Sequence, residues 1–199
     1  MMLIEETAIP DAALPVARFK AHLRLGTGFG EDGLQDDVLK GFLRAAIAAV
    51  EARTGKVLIE RAFGWTLNHW RDAAGQRLPV TPVQAVTAVT VVDGGGAETP
   101  VVPATFRLER DAERPVLRPV SGHLPSIPPG GSVRVGLLAG MAADWGGLPA
   151  DLGQAVLLLA AHYYEYRDET ALGYGCMPFG VTSLLQRYRP LRVSVGVLQ

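Results

Sequence analysis

The chain has 199 residues, 19 basic and 20 acidic, so its formal net charge is −1 at pH 7. That balance argues against a protein that works by coating nucleic acid, which needs a broadly basic face. Hydrophobic residues make up 48% and charged residues 20%, enough apolar material for a real core and too much for wholesale disorder. The length fits one domain, or one domain with a sizeable insertion. One cysteine, Cys176, excludes an internal disulfide framework and a cysteine-rich metal site. The amino terminus has acids, Glu5 and Glu6, where a secretion signal carries basic residues. The longest apolar run, Ala155 to Ala161, falls far short of the roughly 20 residues that span a bilayer. The expectation is a soluble protein of a reducing compartment, with no membrane partner.

The first zone, residues 1–55, reads as helical. Pro15 suits an early helical position, and Val16, Phe19, Lys20 and Leu23 mark the inner stripe of a short helix. Residues 26–33 break it. A longer helix runs from about Leu34 to Thr54, with Leu34, Val38, Leu39, Phe42, Leu43, Ala46, Ile47 and Val50 at three- and four-residue steps. Asp36 and Asp37 sit in its first turn, where carboxylates favour the positive end of the helix dipole, and Gly55 stops it.

Residues 56–138 read as strands. Val57, Ile59, Ala62, Trp65, Leu67 and Trp70 suggest long strands with a break near Gly64. Residues 78–83 form an extended connector, and the valine- and threonine-rich run from Ala85 to Val92 ends in the turn Asp93-Gly94-Gly95-Gly96. Shorter strands are expected at Phe106–Glu109, Pro115–Arg118 and Ser132–Leu138. The fold class is therefore α+β, a helical core with an inserted small antiparallel β block.

The third zone, 149–188, returns to helix. Leu152, Ala155, Val156, Leu159, Tyr163 and Tyr166 make one stripe, and Leu157, Leu158, Ala160 and Ala161 fill most of the remaining circumference. A helix apolar nearly all round must be covered on several sides, by its own fold or by a neighbouring copy. A glycine-rich loop, 170–180, and a short helix, 181–188, come next. Beyond Pro190, which detaches it, Val193, Val195 and Val197 alternate with Arg192, Ser194 and Gly196, the period of a strand with one apolar side. The segment 189–199 carries arginines and no acid, and an unpaired terminal strand either closes its own sheet or adds to another chain.

No catalytic site is legible. Gly28-Phe29-Gly30-Glu31-Asp32-Gly33 matches the dinucleotide-binding glycine pattern, but a helix precedes it where a strand is required. Its acids would also meet the pyrophosphate. His162 and Glu165, three apart on a helix, could share a metal, yet no further ligand is spaced to complete the site. A hydrolase or nuclease would add an acidic pair, Asp36-Asp37 or Asp168-Glu169. Those pairs are explained as well by a helix first turn and an exposed helix end. Cys176 could be a nucleophile only beside an activating base, and a single buried or incidental thiol is the better reading. His22, His69 and His123 lie in different zones without a motif. Neither a metal nor a cofactor is expected.

Taken in order, the pieces resemble the phage head–tail connector (adaptor) family. The resemblance rests on Lys20-Ala21-His22-Leu23-Arg24 and the helix from Asp36-Asp37 to Val50-Glu51-Ala52-Arg53-Thr54-Gly55. It continues through Leu78-Pro79, Pro82-Val83-Gln84-Ala85-Val86, Gly130-Gly131-Ser132-Val133-Arg134-Val135 and Leu148-Pro149-Ala150-Asp151-Leu152. His162-Tyr163-Tyr164-Glu165-Tyr166-Arg167 and Met177-Pro178-Phe179-Gly180-Val181 close it. The alanine- and valine-rich version here is most like the adaptors of alphaproteobacterial gene transfer agents, domesticated phage-like particles. The resemblance implies a ring of about twelve copies beneath a portal protein, continuing the DNA channel without reading its sequence. A stopper or tail-terminator protein would sit on the tail side, with assembly in the bacterial cytoplasm. It also implies that Arg189, Arg192, Val193, Val195, Val197 and Leu198 bind a partner, either the portal or an adjacent subunit, with closure of the chain's own sheet as the other reading. Leu158, Tyr163 and Tyr166 would face neighbouring copies. The alternative within the same habit is a stopper or tail-completion protein.

Overall fold

Apolar side chains at helical spacing settle the helices. In the computed structural model, which describes residues 1–25, 34–167 and 177–189, these are α1 (Val16–His22), α2 (Leu34–Thr54), α3 (Ala150–Glu165) and α4 (Phe179–Leu185). On α2, Leu39, Leu43, Ala46, Ile47 and Val50 are buried, one face of a 3.6-residue period, and Phe42 is half-buried; Val38, expected on the same stripe, lies 100° round the helix from Leu39 and is 52% exposed. Each leucine or isoleucine withdrawn from water there contributes roughly 1.5–3 kcal/mol. The helix ends where Gly55 takes φ +69°, its amide donating to the Glu51 carbonyl at 2.7 Å. That conformation suits glycine because a Cβ would clash with the backbone.

Helix α3 is the centre of the helical unit, which comprises Pro15–Gly55 and the chain from Pro149 onward. It packs on α1, α2 and α4, burying Leu152, Gly153, Ala155, Val156, Leu159, Ala160 and Ala161. Phe42 meets Tyr164 edge-on, with ring centroids 5.9 Å apart. Phe19 of α1 and Val181 and Leu185 of α4 are fully buried. The covering expected for an over-apolar helix is thus supplied largely by its own unit.

The second unit comprises Met1–Leu14 and Lys56–Leu148. Among the described residues its strands are β1 (Met2–Glu5), β2 (Arg61–Leu67), β3 (Gln76–Arg77), β4 (Val83–Val92), β5 (Glu98–Pro100), β6 (Phe106–Glu109), β7 (Val116–Pro119) and β8 (Ser132–Ala139). They form a five-stranded sheet in the order β1-β2-β8-β4-β5 and a three-stranded sheet in the order β3-β7-β6, every pairing antiparallel. Strict alternation on β2 and β8 sends Phe63, Trp65 and Leu67 to the same face as their partners Leu137, Val135 and Val133. These residues and Leu117 of β7 belong to one apolar core. Irregular register at Gln84 and Thr87 gives β4 two bulges against β8, which bend it.

The structure amends several expectations. The sheets are substantial rather than a small inserted block, and β1 shows that the amino terminus contributes to them. Gly64 does not break its strand. Ladders to Ile4 on one side and Gly136 on the other hold it in the middle of β2. Helix α4 begins at Phe179, two residues early, and residues Gln186–Tyr188 tighten into a 3-10 turn. The glycine motif at 28–33, Asp168, Glu169, Cys176 and the strand expected at 192–198 lie outside the described residues.

Candidate assembly interface

The chain after α4 is anchored before it reaches Pro190. The Arg187 Nε pairs with the Asp151 Oδ2 at 2.8 Å, and the Tyr188 hydroxyl donates to the Asp151 Oδ1, also at 2.8 Å. The same Oδ1 accepts the Leu152 amide at 3.0 Å, so a single carboxylate in the first turn of α3 gathers three donors. The Arg187 guanidinium also bonds the Tyr188 hydroxyl and lies 4.7 Å from the ring centroid. Burial pushes the Tyr188 hydroxyl above its ordinary value of 10.0; the Arg187 bond opposes this and the Asp151 bond adds to it. At Arg189 the backbone is extended, φ −68° and ψ 134°, and its side chain is exposed. Arg189 is thus the one expected partner-binding residue inside the described chain; Arg192, Val193, Val195, Val197 and Leu198 lie beyond it.

On α3, Leu158 and Tyr163 are half-buried, and Tyr166, the residue that caps its C-terminus, is 44% exposed. Tyr163 and Tyr166 come together around His162, with ring centroids 6.4 and 4.7 Å from the imidazole. Burial raises the Tyr163 hydroxyl above its ordinary 10.0. His162 therefore sits among aromatic rings, while Glu165 is exposed. Among the described residues no three histidine, cysteine or carboxylate side chains gather to hold a metal, and no helix is long and apolar enough to cross a membrane.

Two surfaces went unforeseen in the sequence. Phe179 is 88% exposed. A signal for this existed: Val181 and Leu185 set the buried face of α4, and Phe179 is about 200° from Val181 at 100° per residue. The other is the free edge of β1, where Met1, Met2, Leu3 and Ile4 are 76, 55, 41 and 49% exposed. An edge strand whose one charge, Glu5, is paired with Arg61 of its neighbour offers the rest of its backbone to another chain. The opposite edge is guarded: β5 is three residues long and ends in Pro100, and its Glu98 is paired with Arg134.

A cleft of about 670 Å³ in the strand unit is lined by Arg71, Arg77, Arg114 and Arg118 and by Asp72, Glu109 and Asp111. Trp65 also lines it, with an indole N–H that has no hydrogen-bond partner among the described residues. Arg118 holds the Glu109 carboxyl below its ordinary range by a direct hydrogen bond. The lining holds no histidine, cysteine or serine, and two of its carboxylates are already engaged, Glu109 by Arg118 and Asp111 by the backbone amides of Glu113 and Arg114.

No protein-family model matches the chain, and no curated protein does. Solved structures do. A chain from the neck of an empty GTA particle computed with C6 symmetry is 52% identical, with a TM-score of 0.88. A chain from the virion of a native gene transfer agent (GTA) particle is also 52% identical, with a TM-score of 0.84. A third, from the neck of a native GTA particle computed with C12 symmetry, is 47% identical, with a TM-score of 0.82. Each match covers 98% of this chain and 99% of the other.

Proposed function

The chain belongs to the family of gene transfer agent neck proteins, and we propose that within the neck it is the adaptor, a ring that joins the portal to the tail. It is a structural component of the particle rather than an enzyme. The observation that carries this is the 52% identity, end to end, to a neck chain. The likeness runs over 98% of this chain, so it spans the helical unit and the strand unit alike. The C12 symmetry of one related neck supports a ring of twelve copies. A cyclic ring joins two different patches of the same chain, repeated until it closes.

In this reading the segment after Arg189 is an extended strand donated to the portal. Its backbone supplies ladder bonds, the alternating Val193, Val195 and Val197 and the terminal Leu198 fill pockets, and Arg189 and Arg192 meet carboxylates. Leu158, Tyr163 and Tyr166 face the neighbouring copy. A stopper or tail terminator binds the far side, and DNA passes through the bore without sequence-specific contact. The near-neutral charge suits passage rather than retention.

Deletion of Arg192–Gln199 tests the reading. The shortened subunit should fold with an unchanged unfolding midpoint and fail to join portal-bearing heads. Normal attachment would remove the donated strand from the account. Locating the subunit in micrographs of native particles separates an adaptor, in contact with the portal, from a stopper one layer further down.

A further inference from the structure

We infer that Asp151 is a positioning residue for the portal-binding segment: its carboxylate clasps Arg187 and Tyr188 and sets the direction in which the chain leaves the helical unit. The inference rests on the donated-strand reading and adds to it the device that aims the strand.

The geometry has three parts. First, Asp151 is fixed at its own end, because it lies in the first turn of α3 and its Oδ1 already accepts the Leu152 amide. Second, both carboxylate oxygens are engaged by the 3-10 turn just before the segment: Oδ2 by the Arg187 Nε and Oδ1 by the Tyr188 hydroxyl, each at 2.8 Å. The Arg187–Tyr188 bond closes the triangle, so the donors cross-brace each other. Third, the very next residue, Arg189, is extended, and Pro190 comes after it, which restricts Arg189 to that region. A residue held extended directly after a fixed point sets the direction in which the chain continues.

Plain stabilisation of the helical unit is a poorer account of this arrangement. The Arg187 side chain is 68% exposed against 22% for Asp151, and an ion pair with one partner open to water contributes modestly to stability. Orientation is a separate effect. A strand presented in its bound direction avoids part of the ordering cost of association, and in a ring the gain recurs at every copy.

Full-length Asp151→Asn and Tyr188→Phe subunits test the clasp, with Asp151→Glu as the conservative rescue. We expect attachment to portal-bearing heads to weaken by about tenfold in Asp151→Asn, the scale of a lost preorganisation. Tyr188→Phe should fall between it and the wild type, and Asp151→Glu should recover most of the loss. Trypsin should cut the Arg187–Tyr188 bond faster in Asp151→Asn while cleavage elsewhere and the thermal midpoint stay put; a merely structural role would accelerate cleavage throughout. Wild-type attachment by Asp151→Asn, beside failure of the Arg192–Gln199 deletion, would overturn the clasp alone. Wild-type attachment by the deletion would overturn the donated strand itself, and the clasp with it.

Discussion

Asp111 shows how much one exposed carboxylate organises. It accepts the backbone amides of Glu113 and Arg114 at 2.7 and 2.6 Å, closing the turn between β6 and β7. Those two bonds are the main cause of a carboxyl held below its ordinary 3.8. A group depressed in the folded state stabilises fully above its unfolded value, and that contribution is lost as pH falls through the folded one. The Glu113 and Arg114 amide resonances should therefore titrate with a midpoint below 3.8. Asp111→Ala should show the acid-like positions already at neutral pH. A midpoint at or above 3.8 in the wild type would mean that the turn is held by something else. The buried Lys56 reaches the same turn, bonding the Ala112 carbonyl at 2.7 Å and pairing with Glu113, so the loop should loosen rather than unfold.

At the scale of elements, β8 and β1 are opposites. Strand β8 is flanked by β2 and β4 and buries Val133, Val135, Leu137 and Ala139; β1 is paired on one side and exposed throughout. Local opening tracks such differences in burial and pairing. The Val135 and Leu137 amides should exchange at least about a thousandfold more slowly than those of β1, approaching the limit of global unfolding. Leu137→Ala, at 1% exposure, should cost about 2–5 kcal/mol in a urea titration. Comparable protection in both strands would disprove this ranking.

The same contrast explains what the sequence revealed. The helices were legible because Leu39, Leu43 and Ile47, or Leu152, Val156 and Leu159, repeat at a spacing only a helix uses. Strand β8 was legible from its alternation. Strand β1 was not, since Met2, Leu3, Ile4 and Glu5 are all exposed and leave no alternation to read. Nor was the continuity of β2, because Gly64 looks like a break until its two partner strands are known.

For the whole molecule, the question is how a folded subunit reserves surface for others. Much of the third helix's apolar circumference is buried inside its own unit, which sequence alone could not apportion between fold and neighbour. Among the described residues, the large apolar side chains left exposed are those of the β1 edge, Val38, Val102, Val120, Tyr166 and above all Phe179. An aromatic side chain 88% in water contributes almost nothing to folding, so Phe179→Ser should leave the unfolding midpoint within the small range of surface substitutions. Buried between chains, an aromatic anchor is worth about 2 kcal/mol or more. Each member of a closed ring makes the same contact twice, once with each patch, and one weak joint anywhere leaves the collar open. Phe179→Ser subunits mixed into assembling particles should therefore be excluded from the neck in competition with wild type, as measured by mass spectrometry of purified particles. Incorporation in proportion to supply would mean that Phe179 faces solvent in the particle too, and that the joint lies elsewhere.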